Sequence, residues 1–449
     1  MAINVRHRWF RIAAAGMLLV SVAMFSGWIW VGRYLTVAKQ AIEDGDWKRA
    51  RESALIYLGF HSHDATARIL MAQALIRDNK LRGDGKIYEA LEHLNRIPDT
   101  SAHAAEARLA EGRLHLLLLL QPAEAEQCLR RSLQQDPKRL ETHSLLWKLF
   151  DLTSRWDLAE EHFWQIYEQT PTAERATPLR NWYLSEFSPG AANIELDRNL
   201  GFLNKGDQPS SETDRRRLEA FVAADPQWAE GYAILARWFH RQGSLQQAQV
   251  VLKQADRLPG TAEIADICAL KVLINIELGE FAQARLDFGH WPKPHEGYEY
   301  WKAAGLVADQ VLQDNKLACT AYRQAIATTP GKSDWLTQHR LAQCLMRSGE
   351  AEAAALVRQH SKQVELLMES AVHVRLRRAL LTPLDPQTIS QMVDLYQQLG
   401  RLREVSAWQQ LGGAAEHQSP SVTVTAKSAL INEAAAAASA SIESHRFVR

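Results

Sequence analysis

Hydrophobic side chains recur every three or four residues along nearly the whole chain after residue 33, and no segment alternates apolar and polar residues for long. The first spacing places apolar residues on one face of an α-helix, whereas alternation would indicate strands. Ala, Leu, Gln, Glu and Arg dominate these segments, and all five favour helices. The sequence therefore predicts an all-α fold.

The predicted helices come in pairs separated by short turns. In residues 140–171, Phe150 lies on the apolar face of a first helix, Ala159 and Phe163 lie on that of a second, and Pro171 ends the pair. Residues 229–260 repeat this order with Tyr232, Leu235, Ala236 and Phe239, then Gly243 at the turn, then Ala248, Leu252, Ala255 and Pro259.

This order of residues resembles the tetratricopeptide repeat, a helix–turn–helix unit of 34 residues. The resemblance extends over about residues 33–412 and implies an α-solenoid, a right-handed superhelix in which each unit packs against the next. Small residues such as Ala159, Ala248 and Ala354 allow the two helices of a unit to approach closely. The pattern is weakest in residues 172–228, where either an inserted loop divides one unit or two superhelical halves meet at a hinge. A single divided unit is the favoured interpretation.

Residues 12–31 are twenty residues without a charge, and as a helix they would extend about 30 Å, enough to span a bilayer. Arg6, Arg8 and Arg11 precede this run, which favours a cytoplasmic N-terminus. The repeats would then be extracytoplasmic, in the periplasm if the protein is bacterial. A cleaved signal peptide is the alternative, but such a peptide would end in a small-residue cleavage site, which does not follow the apolar run.

The predicted organisation is a basic segment at 1–11, a single-pass transmembrane anchor at 12–31, N-terminal repeats at 33–171, the irregular stretch at 172–228, C-terminal repeats at 229–412 and a flexible Ser/Ala-rich tail at 413–449.

Charge and cysteine content narrow the possible functions. The chain has 52 Lys and Arg residues and 52 Asp and Glu residues, so it lacks the basic excess expected of a nucleic-acid-binding protein. Cys128, Cys268, Cys319 and Cys344 form no C-x-x-C pair and are expected to be buried apolar residues. A Cys319–Cys344 disulfide is the alternative.

No sequence motif predicts an enzyme, a cofactor or a metal site. Residues 330–333, PGKS, resemble the end of a phosphate-binding loop, but Ile326 occupies the position where that loop requires its first Gly. His61 and His63 lack an evident third metal ligand. An enzyme remains an alternative only if these histidines, His240 and His295 converge with carboxylates in a pocket.

The resemblance implies a site of a different kind, because the first helix of each tetratricopeptide unit lines a concave surface that receives an extended peptide or a partner helix. Faces not used for packing follow from the helical period. They predict a partner-binding set of Arg237, His240, Arg241, His339, Arg340, Gln343 and Arg347.

Most residues of this set are cationic, which favours a carboxylate-rich ligand; solvated helix surfaces would show the same composition. Ala233 and Arg237 stand where the family's carboxylate clamp has Lys and Asn, so that clamp is not expected here. We therefore predict a membrane-tethered interaction scaffold or assembly factor with a protein or peptide partner. A glycan- or ligand-binding repeat that uses some of the 14 tryptophans is a further alternative.

Overall fold

The computed structural model describes residues 31–78, 83, 85–153, 155–187, 197–198, 200, 202 and 210–416. All regular elements within these ranges are helical, which confirms the predicted all-α class. Residues 1–30, and with them almost all of the predicted anchor, lie outside the described residues, as does the tail from residue 417. No helix in the described part of the chain is long and apolar enough to cross a bilayer.

The chain divides into two compact units, Met1–Leu146 and Trp147–Arg449. The first unit contains α1 (31–43), α2 (Trp47–Phe60), α3 (Ala65–Arg77), α4 (Gly85–Asn95), α5 (Ala104–Leu117), α6 (Pro122–Gln135) and the first half of α7 (Leu140–Leu152). The division thus falls inside a helix. The separation into repeats at 33–171 and 229–412 stays a prediction.

The second unit contains fifteen further helices among the described residues. They are α8 (Trp156–Gln169), α9 (Ala176–Phe187), α10 (Ser211–Ala224), α11 (Ala229–Arg241), α12 (Leu245–Ala255), α13 (Ala265–Glu277), α14 (Phe281–Gly289), α15 (Gly297–Leu306), α16 (Asn315–Ala327), α17 (Thr329–Ser333), α18 (Trp335–Arg347), α19 (Ala351–Leu367), α20 (Ser370–Ala379), α21 (Pro386–Gln398) and α22 (Leu402–Glu416). A π-helical turn, Val307–Val311, continues α15.

Aspartates at N-cap positions begin many of these helices. The carboxylate of Asp64 accepts a hydrogen bond from the backbone N–H of Ala67 at 2.8 Å, and that of Asp46 accepts one from Arg49 at 3.1 Å. Asp314, Asp334 and Asp385 cap α16, α18 and α21 in the same way. Each such bond satisfies a backbone donor that the helix leaves unpaired, which stabilises the helix by about 1 kcal/mol.

Glycines close the turns between the helices of several pairs. Gly45, Gly243, Gly279, Gly349 and Gly400 have φ between +67° and +83°, a region in which other residues are strained. Gly243 was predicted as a turn residue from the repeat pattern, and its positive φ confirms that prediction.

Small residues hold the paired helices close together. Ala159, Ala248 and Ala354 are fully buried, as predicted. Gly112 has the same role inside α5, because a Cβ atom there would lie 2.7 Å from Leu129 Cγ of α6. The backbones of these pairs approach too closely for a larger side chain.

Helix contacts within each unit follow the order of the chain. In the second unit, α11 packs on α12, α15 on α16 and α18 on α19, and these pairs also contact their successors through α11 with α13, α13 with α15 and α16 with α18. This arrangement of stacked helix pairs is a helical repeat. It confirms the predicted fold at that level.

The stretch 172–228 contains one helix on each side of residues 188–209, few of which are described. The second, α10, packs on α11, whereas the first, α9, packs on α22 near the end of the chain. The proposal that these helices are halves of one divided unit stays a prediction.

The contact of α9 with the C-terminal helices was not predicted, since the repeat pattern predicts contacts only between successive pairs. We call it the terminal clasp, and it consists of Trp182, Tyr183 and Glu186 of α9 together with His373 of α20 and Arg401 and Glu404 at the start of α22. Trp182 Nε1 donates to Glu404 Oε1 at 3.4 Å, and the Tyr183 hydroxyl lies 2.8 Å from His373 Nδ1.

Candidate partner-binding surface

The seven predicted partner-binding residues lie on α11 and α18, the first helices of two pairs. The first helices α13 and α15 come between them in the chain, and charged side chains connect all four. We call this row of charged residues on α11, α13, α15 and α18 the first-helix strip.

Two of the predicted cations on α11 are paired with carboxylates on α13. Arg237 Nη2 lies 3.4 Å from Asp266 Oδ2, and His240 Nε2 lies 2.9 Å from Glu277 Oε2. The hydrogen bond from His240 lowers the pKa of Glu277, and the charges of Arg340 and Lys302 lower it further. Glu277 therefore connects the cations of α11 electrostatically to those of α15 and α18.

Arg241, at the end of α11, has a different environment. It makes no ion pair with any described residue, although its side chain is exposed to solvent. Its pKa is nevertheless lowered, first by the removal of surrounding water and then by the neighbouring charge of Arg237, against the opposing effect of Glu299 and Asp214.

The middle of the strip is a triad of Tyr298 and Lys302 on α15 and Asp334 at the N-cap of α18. Lys302 Nζ lies 2.9 Å from Asp334 Oδ2 and donates to the Tyr298 hydroxyl at 3.0 Å, while that hydroxyl donates to Asp334. Burial raises the pKa of Asp334, but Lys302 and the hydrogen bonds from Thr337 and Tyr298 outweigh it, so the pKa is well below its usual value. Lys302 and Asp334 are therefore charged, Tyr298 is neutral because burial raises its pKa, and the three residues link α15 to α18.

The four predicted residues on α18 have three different environments. Arg340 acts on Glu277 and thus belongs to the strip. His339 Nε2 and Gln343 Nε2 are 2.9 Å apart and form a local pair. Arg347 donates to Asn315 at 2.7 Å and pairs with Asp309 of the π-helical turn, so its charge is already matched there.

The structure therefore adds acceptors that the sequence argument did not include. Asp266, Glu277, Glu299 and Asp334 alternate with the predicted cations, and the strip is a balanced charged surface rather than a cationic one. Tyr298, Lys302 and Asp334 were not predicted as part of the site. The spacing of Tyr298 and Lys302, four residues apart on one helix, was the signal available.

Several tryptophans pack inside the protein. Trp147 and Trp164 are buried, and Trp238 is half-buried against Phe239. Phe163 stacks on Trp182 with ring centroids 4.8 Å apart. Every tryptophan among the described residues is buried or half-buried, and the glycan-binding alternative stays a prediction.

The histidines of the enzyme alternative have separate local partners. His61 stacks on Tyr57, His240 pairs with Glu277, and His295 stacks on Tyr300 at a centroid distance of 5.1 Å. No group of three or more His, Cys, Asp or Glu residues suited to a metal ion occurs within the described ranges. The four cysteines are buried and free, so Cys319 and Cys344 are not joined.

A cleft of about 210 Å³ lies between α12, α13 and α14. Lys271 at its edge lies 3.1 Å from Asp256 and 3.3 Å from Asp287, and Asn275 donates to Asp287 at 2.7 Å. Because its polar groups bond one another, this cleft holds two hairpins together.

No protein-family model and no curated protein sequence matches the chain. Solved structures similar to it include a Pseudomonas aeruginosa pilF structure (18% identity, 51% of this chain and 93% of that one, TM-score 0.26) and a tetratricopeptide repeat protein from Parabacteroides merdae (15% identity, 64% and 98%, TM-score 0.29). Another is the Cut9–Hcn1 hetero-tetramer of the APC/C (14% identity, 85% and 96%, TM-score 0.33). Tetratricopeptide repeat proteins are therefore among the similar structures. The assignment of this chain as a helical repeat depends on its own helix contacts.

Proposed function

We propose that this chain is a scaffold that binds a protein or peptide partner along the first-helix strip and is tethered to a membrane through residues 12–31. The partner is held without covalent chemistry. Confinement at the membrane raises the local concentration of the molecules that the strip can bind.

The environment of Arg241 is the observation that supports binding at the strip most directly. Its neighbours Arg237 and His240 are matched by Asp266 and Glu277, so they are held in fixed positions. Arg241 is exposed and makes no ion pair with a described residue, so its guanidinium is accessible to a carboxylate ligand. A partner segment with a carboxylate at this point and polar groups along the alternating charges of the strip is complementary to it.

Crosslinking from matched positions tests this proposal. Gln343 on α18 and Gln359 on α19 are both exposed glutamines of the same helix pair, one on the first helix and one on the second. A photoreactive amino acid at position 343 is expected to capture a defined partner in cells, and one at position 359 is expected to capture far less of it.

Charge reversal supplies the second part of the test. Arg241→Glu is expected to abolish most of the capture from position 343, whereas Arg358→Glu, which reverses an exposed charge on α19, leaves it unchanged. Equal capture from both glutamines, or equal sensitivity to both reversals, would contradict binding at the strip.

The membrane tether is supported by the charge-free run of residues 12–31 and the arginines before it. Resistance of the full chain to alkaline extraction from membranes tests the tether. A reporter enzyme fused after residue 449 tests the orientation, and activity on the extracytoplasmic side is the expected result.

A further inference from the structure

The second half of α2 carries exposed apolar side chains. Leu55 is 58% exposed, Ile56 is 40% exposed and Phe60 is 67% exposed. Residues 53–63, SALIYLGFHSH, contain no Asp, Glu, Lys or Arg, whereas four of the six residues at 47–52 are charged. The helix is therefore polar where it begins and apolar on its outer face where it ends.

The position of this face follows from the first helix pair. A tight turn, in which Asp46 N–H donates to Ala41 C=O at 2.8 Å, reverses the chain between α1 and α2. Beyond the turn Ala41 and Ala50 share one buried cluster, and Val31 and Leu58 share another. The two helices are antiparallel. Val31 is 14 residues before Gly45 and Phe60 is 14 residues after Asp46, so the two residues lie at the same level.

The level of Val31 is also the end of the apolar run, because Val31 is the last of the twenty charge-free residues at 12–31. If residues 12–31 cross the bilayer, the edge of the hydrocarbon core lies at the level of Val31 and Phe60 returns to that level. Ile56 and Leu55 then lie about 6 and 8 Å farther from the bilayer centre, in the headgroup region. Arg33, which is exposed, is placed at the depth of the lipid phosphates.

We propose that the apolar face of α2, formed by Leu55, Ile56 and Phe60, lies against the lipid surface around the anchor. This inference rests on the proposed tether and goes beyond it, since a tether alone leaves the first helix pair free to move relative to the membrane. Contact of α2 with lipid gives the pair a second attachment point, as amphipathic helices obtain when their apolar side enters the interface. The orientation of the first pair relative to the bilayer is then fixed.

Lipid is the expected contact of this face, because the proposed anchor places the face beside the bilayer. A second copy or a protein partner would have to reach a surface that the tether already holds at the membrane. The change from charged to charge-free sequence halfway along α2 also matches a boundary between water and lipid.

The test uses the full chain reconstituted into phosphatidylcholine vesicles, with one environment-sensitive dye attached through cysteine. The native thiols do not compete, because they are buried and burial raises the pKa of Cys128, Cys268 and Cys344 to about 12. Phe60→Cys carries the dye at the proposed contact. Lys48→Cys, at the opposite end of the same helix and about 18 Å away, carries it in the matched control.

Lipids with a spin label on the acyl chain are expected to quench the dye at position 60 severalfold more than the dye at position 48. Replacing Ile56 with Asp is expected to reduce the quenching at position 60, with circular dichroism unchanged because Ile56 is at the surface. Equal quenching at positions 48 and 60 in protein that resists alkaline extraction overturns the inference and leaves the tether intact. Protein that is extracted from the vesicles overturns the tether and the inference together.

Discussion

Arg401 holds the terminal clasp together, and its replacement by Met tests that role. Its guanidinium is 3% exposed and bonds Glu186 of α9 and Glu404 of α22, with a distance of 2.8 Å from Nε to Glu404 Oε1. The same group lies 5.8 Å from the ring centroid of Trp182 and 5.2 Å from that of Tyr396. Two carboxylates and two aromatic rings thus surround a single buried cation.

The expected cost follows from what the substitution leaves behind. Glu404 is 3% exposed, and without Arg401 its charge is buried and unmatched. Burial already raises the pKa of Glu186, and Arg401 is the charge that opposes this increase. Removing one partner of a buried ion pair typically costs about 3–5 kcal/mol, and we expect a loss in this range for Arg401→Met.

Arg403 offers a control two residues away on the same helix. It pairs with Glu168 of α8 at 2.8 Å and lies 4.0 Å from the centroid of Trp164, but the charged groups of both residues are 55% exposed. An exposed pair of this kind, with one cation–π contact, contributes about 1 kcal/mol. Arg403→Met therefore removes an ion pair between α22 and the neighbouring helix α8 at a much lower cost.

Hydrogen exchange of the peptides that cover α9 and α22 measures the local free energy of opening. Arg401→Met is expected to accelerate exchange about 100- to 4000-fold, and Arg403→Met about fivefold, since each 1.4 kcal/mol is a factor of ten. The double variant Arg401→Met with Glu404→Gln is expected to recover part of the loss, because no unmatched charge remains on Glu404. Equal acceleration in the two single variants, or no recovery in the double variant, would refute the assignment of Arg401 as the buried charge that stabilises the clasp.

Three further predictions concern other buried groups. Burial, and secondarily the charge of Arg377, lowers the pKa of His373 to about 4 from a usual value of 6.5. The unfolded state therefore binds the proton more tightly than the folded state. The stability of the clasp is complete above pH 6.5 and falls by about 3 kcal/mol as the pH drops toward 4. Urea denaturation at pH 7.5 and 5 measures this dependence, which His373→Gln should flatten and substitution of the exposed His360 should leave in place. Gly112→Ala should destabilise the first unit by about 1–3 kcal/mol despite the better helix propensity of Ala, because the new methyl group meets Leu129; a rise in thermal midpoint would contradict this. The thiol of Cys128, with its pKa raised to about 12 by burial, should resist maleimide at pH 7.5 until the chain is unfolded, and rapid labelling of the native protein by mass spectrometry would show that α6 opens.

The features predicted correctly from sequence are those determined over a few residues. Gly243 ends α11 because the turn needs a positive φ, and Ala248 is buried because α12 packs closely on α11. Both constraints act within a single helix pair, so the pattern of one pair contains them. The irregular stretch after Pro171 has no such pattern, and the partner of α9 was not predicted for that reason.

The acceptors of the strip could have been found by a different comparison. Arg237 pairs with a residue 29 positions later and His240 with one 37 positions later, which is about one repeat in each case. Residues one period apart lie on adjacent units, so opposite charges at this spacing predict ion pairs between units. Considering one helix at a time made the cations of α11 look unmatched.

The terminal clasp can form only late in the synthesis of the protein on the ribosome. Trp182 and its partner Glu404 are 222 residues apart, so a ribosome adding about 5–20 residues per second delivers the second roughly 10–45 s after the first. Throughout that interval the indole of Trp182 and the ring of Tyr183 lack the C-terminal helices α20 and α22 that complete their burial. A nascent chain in this condition is a substrate for holding chaperones, and a message truncated shortly before codon 401 would yield a product that never conceals this surface.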